Sequence, residues 1–219
     1  MIVDPDRSFE AACDVNEISL NNIWQARILT ATGDLEYGNA SEMDSVAARA
    51  LSGAAWNVDP AKMTPELQAA WQQVEFGNYA PAASTLKRMA RSRKPDVKAA
   101  AALLNDYVAE KLKAQLTEAE TADGAGEAWK AYRVLSDIQQ KFKGYDIPPN
   151  VDADVKRLEK SDDVSREIDA YRKLEGARKS AASRSATIRQ RVPTMLQQLI
   201  EDYPGTTAAE EAQAILSMP

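Results

Sequence analysis

From Thr64 onward, apolar residues recur at spacings of three and four, the period of helices that each bury one face. Leu67, Trp71 and Val74 make the first such face. Thr64 is placed to cap it, Pro65 sits at a favoured first position and Gly77 ends it. Asn78 starts a second helix with Ala82, Leu86 and Met89 inward. Pro95-Asp96 opens a long third, with Val97, Ala101, Leu104, Val108 and Leu112 in register. "ADGAGE" (122–127) reads as a flexible break. Trp129, Tyr132, Leu135, Ile138 and Phe142 mark a fourth helix, stopped near Gly144 ahead of Pro148-Pro149. Val151, Val155 and Leu158 give a short fifth.

Ser161-Asp162-Asp163 then supplies a cap and two acids suited to a helix N-terminus. The helix it opens carries Val164, Ile168, Tyr171, Leu174, Ala181 and Ile188, and is predicted to end near Val192. Pro193 forces a kink or a new start. Leu196, Leu199 and Tyr203 follow, then a turn, then Ala208, Ala212 and Ile215.

The first 59 residues have a different texture. "IWQARILTATGDLEYGNA" (23–40) predicts two short strands joined around Thr32-Gly33-Asp34. A helix follows, with Ser41 as its cap and Met43, Val46, Ala47, Ala50 and Leu51 at helical spacing. "SGAAWNVDPAKMTP" (52–65), with little periodicity, is the candidate boundary. The expected architecture is mainly α: a small α/β segment over 1–59, then antiparallel helical hairpins over 60–219.

Within that array a spacing repeats. Leu86-Met89-Arg93, Leu135-Ile138-Phe142 and Leu196-Leu199-Tyr203 each step by three and then four, and each precedes a Pro-containing turn and another helix. The intervals between the three are too uneven for a regular solenoid. "FGNYAPAASTLKRM" (76–89) resembles part of a tetratricopeptide unit, with Gly77, Tyr79, Ala82 and Leu86 at the family's Gly, Tyr, small and large apolar positions. "YPGTTAAEEAQAIL" (203–216) is similar to the turn and small-residue helix of bacterial tetratricopeptide-like proteins. That resemblance implies stacked hairpins whose concave surface binds a peptide or protein.

Residues 14–51 resemble the second half of a thioredoxin-like domain: strand, Gly turn, strand and closing helix. No CxxC is present, so no catalytic residue carries over. The alternative reading is therefore the C-terminal portion of a thioredoxin-like oxidoreductase lacking its CxxC half.

Composition narrows the chemistry. The chain has no histidine and one cysteine, Cys13. Ser-His-Asp and Cys-His catalysis and the commonest metal ligand are thereby excluded, as is an internal disulfide. Cys13 has no neighbouring cation in sequence to lower its pKa. Glu210-Glu211, Asp162-Asp163 and Glu118/Glu120 read as solvated faces or helix-start charges, since adjacent helical acids diverge by about 100°. No cofactor is expected, and an enzyme is disfavoured.

Charged residues make up 27% of the chain and mean hydropathy is −0.45, as in a soluble protein. No apolar run is long enough to span a bilayer. The start "MIVDPDRSFEAACD" lacks an apolar signal core, so the expected location is cytoplasmic, or periplasmic or exported if Met1 is not the natural start.

The net charge is −6, but it is segregated: residues 87–98 carry +5, residues 172–191 carry +6, and the remainder −17. Over 172–191 the cations lie all round the helical wheel with only Tyr171 nearby, which disfavours nucleic acid. Contact with acidic surfaces, within the molecule or on a partner, fits better. Trp71, Tyr79, Tyr132 and Tyr171 read chiefly as core or inter-helix wedges, and otherwise as groove anchors. With Arg88 and Arg91 they form the candidate partner-binding set. The expectation is a non-enzymatic protein–protein interaction or scaffold module, with oligomerisation left open.

Overall fold

A computed structural model describes residues 24–30, 34–51 and 53–217. The protein is mainly helical, with one small antiparallel sheet near its start. The chain divides into two compact units: Trp56–Tyr171 is one, and the described parts of Met1–Ala55 and Arg172–Pro219 form the other. The division at 55/56 falls inside the aperiodic stretch 52–65. The division at 171/172 has no counterpart in the pattern of apolar residues.

In the two-segment unit, strand β1 (Gln25–Leu29) pairs antiparallel with β2 (Leu35–Asn39), placing Arg27 opposite Tyr37 and Ala26 opposite Gly38. The Arg27 guanidinium lies 4.7 Å from the Tyr37 ring centre. Thr32 and Gly33 of the expected turn, and Cys13, lie outside the described residues. Helix α1 (Met43–Ala50) follows and buries Val46 and Ala50. Ser41 is not its cap. Asn39 takes that part at a preceding 3-10 turn, its Oδ1 accepting from the Ser41 N–H at 3.1 Å.

Unit Trp56–Tyr171 carries one continuous hydrophobic core running from Val58 to Leu158. Helix α2 (Gln68–Glu75) and helix α3 (Tyr79–Met89) form its first hairpin. Between them Gly77 takes φ +73°, a left-handed conformation that costs glycine little. The Asn78 N–H reaches back to the Gln73 carbonyl and the Gly77 N–H to that of Val74, which satisfies the last carbonyls of α2. Thr64 holds the cap position ahead of Pro65, but the pair opens a 3-10 turn and the Thr64 side chain makes no capping bond.

Helix α4 (Pro95–Gly124) is the longest element, and its buried residues include Val97, Ala101, Leu104, Val108 and Leu112. It packs against α5 (Ala128–Lys141). The expected flexible break at 122–127 is a tight turn instead: α4 runs on through Gly124, and the Glu127 N–H returns to the Ala122 carbonyl at 2.8 Å. Helix α6 (Asn150–Glu159) packs on α5 through Val151, Val155 and Leu158. Arg157 on α6 pairs with Asp123 on α4 at 2.6 Å.

Helix α7 (Asp162–Ala181) ends about ten residues earlier than its apolar spacing predicts, and Ile188 is exposed at 43%. Serine explains the early stop. Its hydroxyl competes for backbone groups and favours turns over helix interiors. Ser180 Oγ donates back to the Gly176 carbonyl, Ser183 Oγ accepts from the Ser185 N–H, and a four-residue helix α8 (Ala186–Arg189) follows. Val192 and Pro193 open α9 (Val192–Asp202), and α10 (Thr207–Ser217) closes a hairpin with it.

Candidate functional site

Both basic stretches keep most of their cations outside ion pairs among the described residues. In 172–191, Lys173 pairs with Asp202 at 2.7 Å, and Arg178 pairs with Glu175 and Glu211 at 3.1 and 2.8 Å. Those cations tie α7 to the α9–α10 hairpin. In 87–98, Lys94 alone makes an ion pair among the described residues, with Glu66 at 2.8 Å. Each partner of that exposed bond holds the other's charge: Lys94 lowers the Glu66 carboxyl pKa, and Glu66 raises that of the Lys94 ammonium. Lys87, Arg88, Arg91 and Arg93 are exposed and make no ion pair among the described residues.

Lys87 and Arg91 stand at an open cleft of about 390 Å³ in unit Trp56–Tyr171. One wall comes from α3 and the residues just beyond it (Ala83, Lys87, Ala90, Arg91). A second comes from one face of α4 (Asn105, Val108, Ala109, Leu112). Gly144, Tyr145 and Asp146, in the turn after α5, complete it. The spacings explain the walls, since residues 83, 87, 90 and 91, and likewise 105, 108, 109 and 112, share a helix face. Val108 and Leu112 are buried and back the cleft, its accessible apolar surface comes from Ala90, Ala109 and Tyr145, and small side chains at 83, 90 and 109 keep it from filling.

The turn is held from below. Gly144 has φ +96°, and a Cβ there would come within 2.9 Å of the Ala83 Cβ, so only glycine lets the turn close on α3. Tyr145 Oη donates to the Tyr79 backbone carbonyl at 3.1 Å. Burial pushes the Tyr145 phenol up to about 12, with the nearby Tyr79 acting in the same direction. Burial also raises Tyr79, seconded by Tyr107, and raises Tyr107, seconded by Glu75. All three rings therefore stay neutral and serve structure at ordinary pH.

Of the six residues singled out from sequence, Arg91 lines the cleft. Arg88, its neighbour in the basic stretch, does not, because it points to another face of α3. Tyr79 lies in the core against Phe142, ring centres 4.9 Å apart, and supports the cleft through its carbonyl. Trp71 is also buried. Its Nε1 donates to the Val58 carbonyl at 2.8 Å and its ring meets the edge of exposed Trp56 at 5.0 Å.

Tyr132 and Tyr171 share a separate stack on Trp129, at 5.6 and 5.2 Å, with the Arg133 guanidinium 5.8 Å from the Tyr171 ring centre. The Trp129 indole N–H is buried without a hydrogen-bond partner. Sequence pattern alone singles out neither Lys87 as a wall residue nor Asn105, Tyr145 and Asp146. Their one signal is the helix stop at Gly144, which says nothing of where the turn lands.

No protein-family model, curated protein or solved structure matches this chain. Among the described residues there is no cluster of three or more Cys, Asp or Glu suited to a metal ion, and no helix is long and apolar enough to cross a membrane.

Proposed function

We propose that this protein is a non-enzymatic interaction module that holds a segment of a protein partner in the cleft between α3 and α4. The observation that supports this reading most directly is the combination of accessible apolar surface at Ala90, Ala109 and Tyr145 with cations at the rim that make no ion pair among the described residues. Burying apolar surface supplies affinity, and rim charges supply selectivity and faster encounter. Short helical hairpins around one core give a pre-formed groove, so little ordering free energy is lost on binding. In tetratricopeptide-like proteins the concave surface of stacked hairpins binds a peptide or protein, and the resemblance at 76–89 includes part of one wall of this cleft.

Site-specific photo-crosslinking tests the reading. A photoreactive phenylalanine analogue replaces Ala109, exposed in the cleft, or Ala153, exposed on α6, in cells expressing the full chain. Discrete protein adducts from position 109 and none from position 153 are expected. Adducts equal in kind and yield from both positions would overturn the proposal.

A further inference from the structure

Charge in the cleft is arranged by position. The Gly144–Asp146 turn closes against Ala83, whereas Arg91 lies two helical turns further along, roughly 12 Å by the rise of an α-helix. Lys87 stands between them. None of Lys87, Arg91 and Asp146 makes an ion pair among the described residues, although all three line one cleft. The cleft therefore has a cationic end and, at the turn, an end that carries a carboxylate, with accessible apolar surface at Ala90, Ala109 and Tyr145. Resting on the interaction reading above, we propose that it takes one acidic–apolar segment of a partner protein in a fixed direction. Carboxylates of the segment meet Lys87 and Arg91, apolar side chains lie over Ala90, Ala109 and the Tyr145 ring, and a lysine, arginine or backbone donor meets Asp146.

Three observations favour this occupant. Residues 87–98 carry +5 with only Lys94 neutralised in an ion pair, so the potential at that end attracts carboxylates. A nucleic-acid strand along the groove would bring phosphates against Asp146. It would also find no ring free for base stacking, because Tyr145 is half-buried and bonded to Tyr79. A small free anion would satisfy the cations but leave the apolar surface of Ala109 and Tyr145 wet.

The test uses the full chain and two fluorescein-labelled peptides of about 14 residues. One has three glutamates at one end, a leucine-rich centre and two lysines at the other end; the second has glutamine in place of glutamate. Anisotropy titrations at low and at physiological salt are expected to show saturable binding of the first, at least tenfold tighter than the second and weaker as salt rises. K87E and R91E should each weaken it about tenfold, and R88E, outside the cleft, by less than about twofold. A photoreactive group on the acidic end should label residues near 87–91, and one on the lysine end residues near 144–146.

Equal affinity for the two peptides, no binding by variants of unchanged circular dichroism and parent alike, or the same labelled residues from both ends would each overturn the inference. If adducts at position 109 still form in cells, the interaction reading stands with a partner of other chemistry. If they do not, both fall.

Discussion

Tyr145 Oη donates to the backbone carbonyl of Tyr79 across 3.1 Å, joining the turn after α5 to the first residue of α3, 66 positions earlier in the chain. That bond fixes one end of the cleft. In Tyr145→Phe the Tyr79 carbonyl loses its side-chain donor while most of the packing remains. A loss of about 1 kcal/mol in stability is expected, the usual net value of one such bond. Urea unfolding at neutral pH checks it.

The same residue predicts an alkaline limb. Its pKa rises from 10.0 to about 12 on folding, so the native state holds the phenolic proton more tightly than the unfolded chain does. Stabilisation from this group is complete below pH 10 and declines as pH rises from 10 through 12. Tyr79 and Tyr107, also raised, add to the fall. Unfolding measured from pH 8 to 12 should show the decline, and it should be shallower in Tyr145→Phe.

Gly144→Ala meets two obstacles: a positive φ and the Ala83 Cβ at 2.9 Å. A loss of about 1–3 kcal/mol is expected. Ala83→Gly in the same chain removes the contact but not the backbone strain, so the double variant should recover only part of the loss. A thermal-unfolding cycle over the four proteins separates the two contributions.

Trp71→Phe keeps a buried ring and removes the indole N–H that serves the Val58 carbonyl. The expected cost is about 1–2 kcal/mol. The near-ultraviolet dichroism of the Trp56–Trp71 edge contact should be lost at the same time. An unchanged near-ultraviolet spectrum would mean that Trp56 does not rest on this ring in solution.

In the other unit, a Cβ added at Gly38 would collide with the buried Val46 side chain of α1. Gly38→Ala is therefore expected to loosen α1 from the hairpin. Amide exchange should speed up in β1, β2 and α1, with no change in α4 and α5. Val46→Ala alongside Gly38→Ala should restore part of the protection, because the clash is with that side chain.

Most of the helical array could be read from periodicity, because a helix that buries one face must repeat its apolar residues every three to four positions. Leu86, Leu104, Ile138 and Leu199 are fully buried as that rule requires. It failed where backbone competition outweighed the pattern: Ile188 keeps the spacing of α7, yet the serines around 180–185 end the helix first. Ser41 failed differently, since Asn39, two residues earlier, supplies the same capping chemistry.

The cleft was legible only in fragments. The charge of their stretch marked Arg88 and Arg91 and passed over Lys87, yet Lys87 lines the cleft and Arg88 does not, because adjacent residues on a helix point about 100° apart. Asn105 and Asp146 gave no signal, being ordinary polar residues of a helix and a turn.

The sequence by itself determined which residues turn inward, where most helices stop, and that histidine chemistry is absent. These are local consequences of side-chain period, of the backbone preferences of glycine and proline, and of composition. Only the tertiary structure decided which cations meet a carboxylate, as Lys94, Lys173 and Arg178 do, and which stand at a cleft, as Lys87 and Arg91 do. It also brought Gly144 against Ala83 and Tyr145 beneath Tyr79. The reason is physical: contacts between residues some sixty positions apart depend on how whole helices cross, and no short window of sequence encodes that.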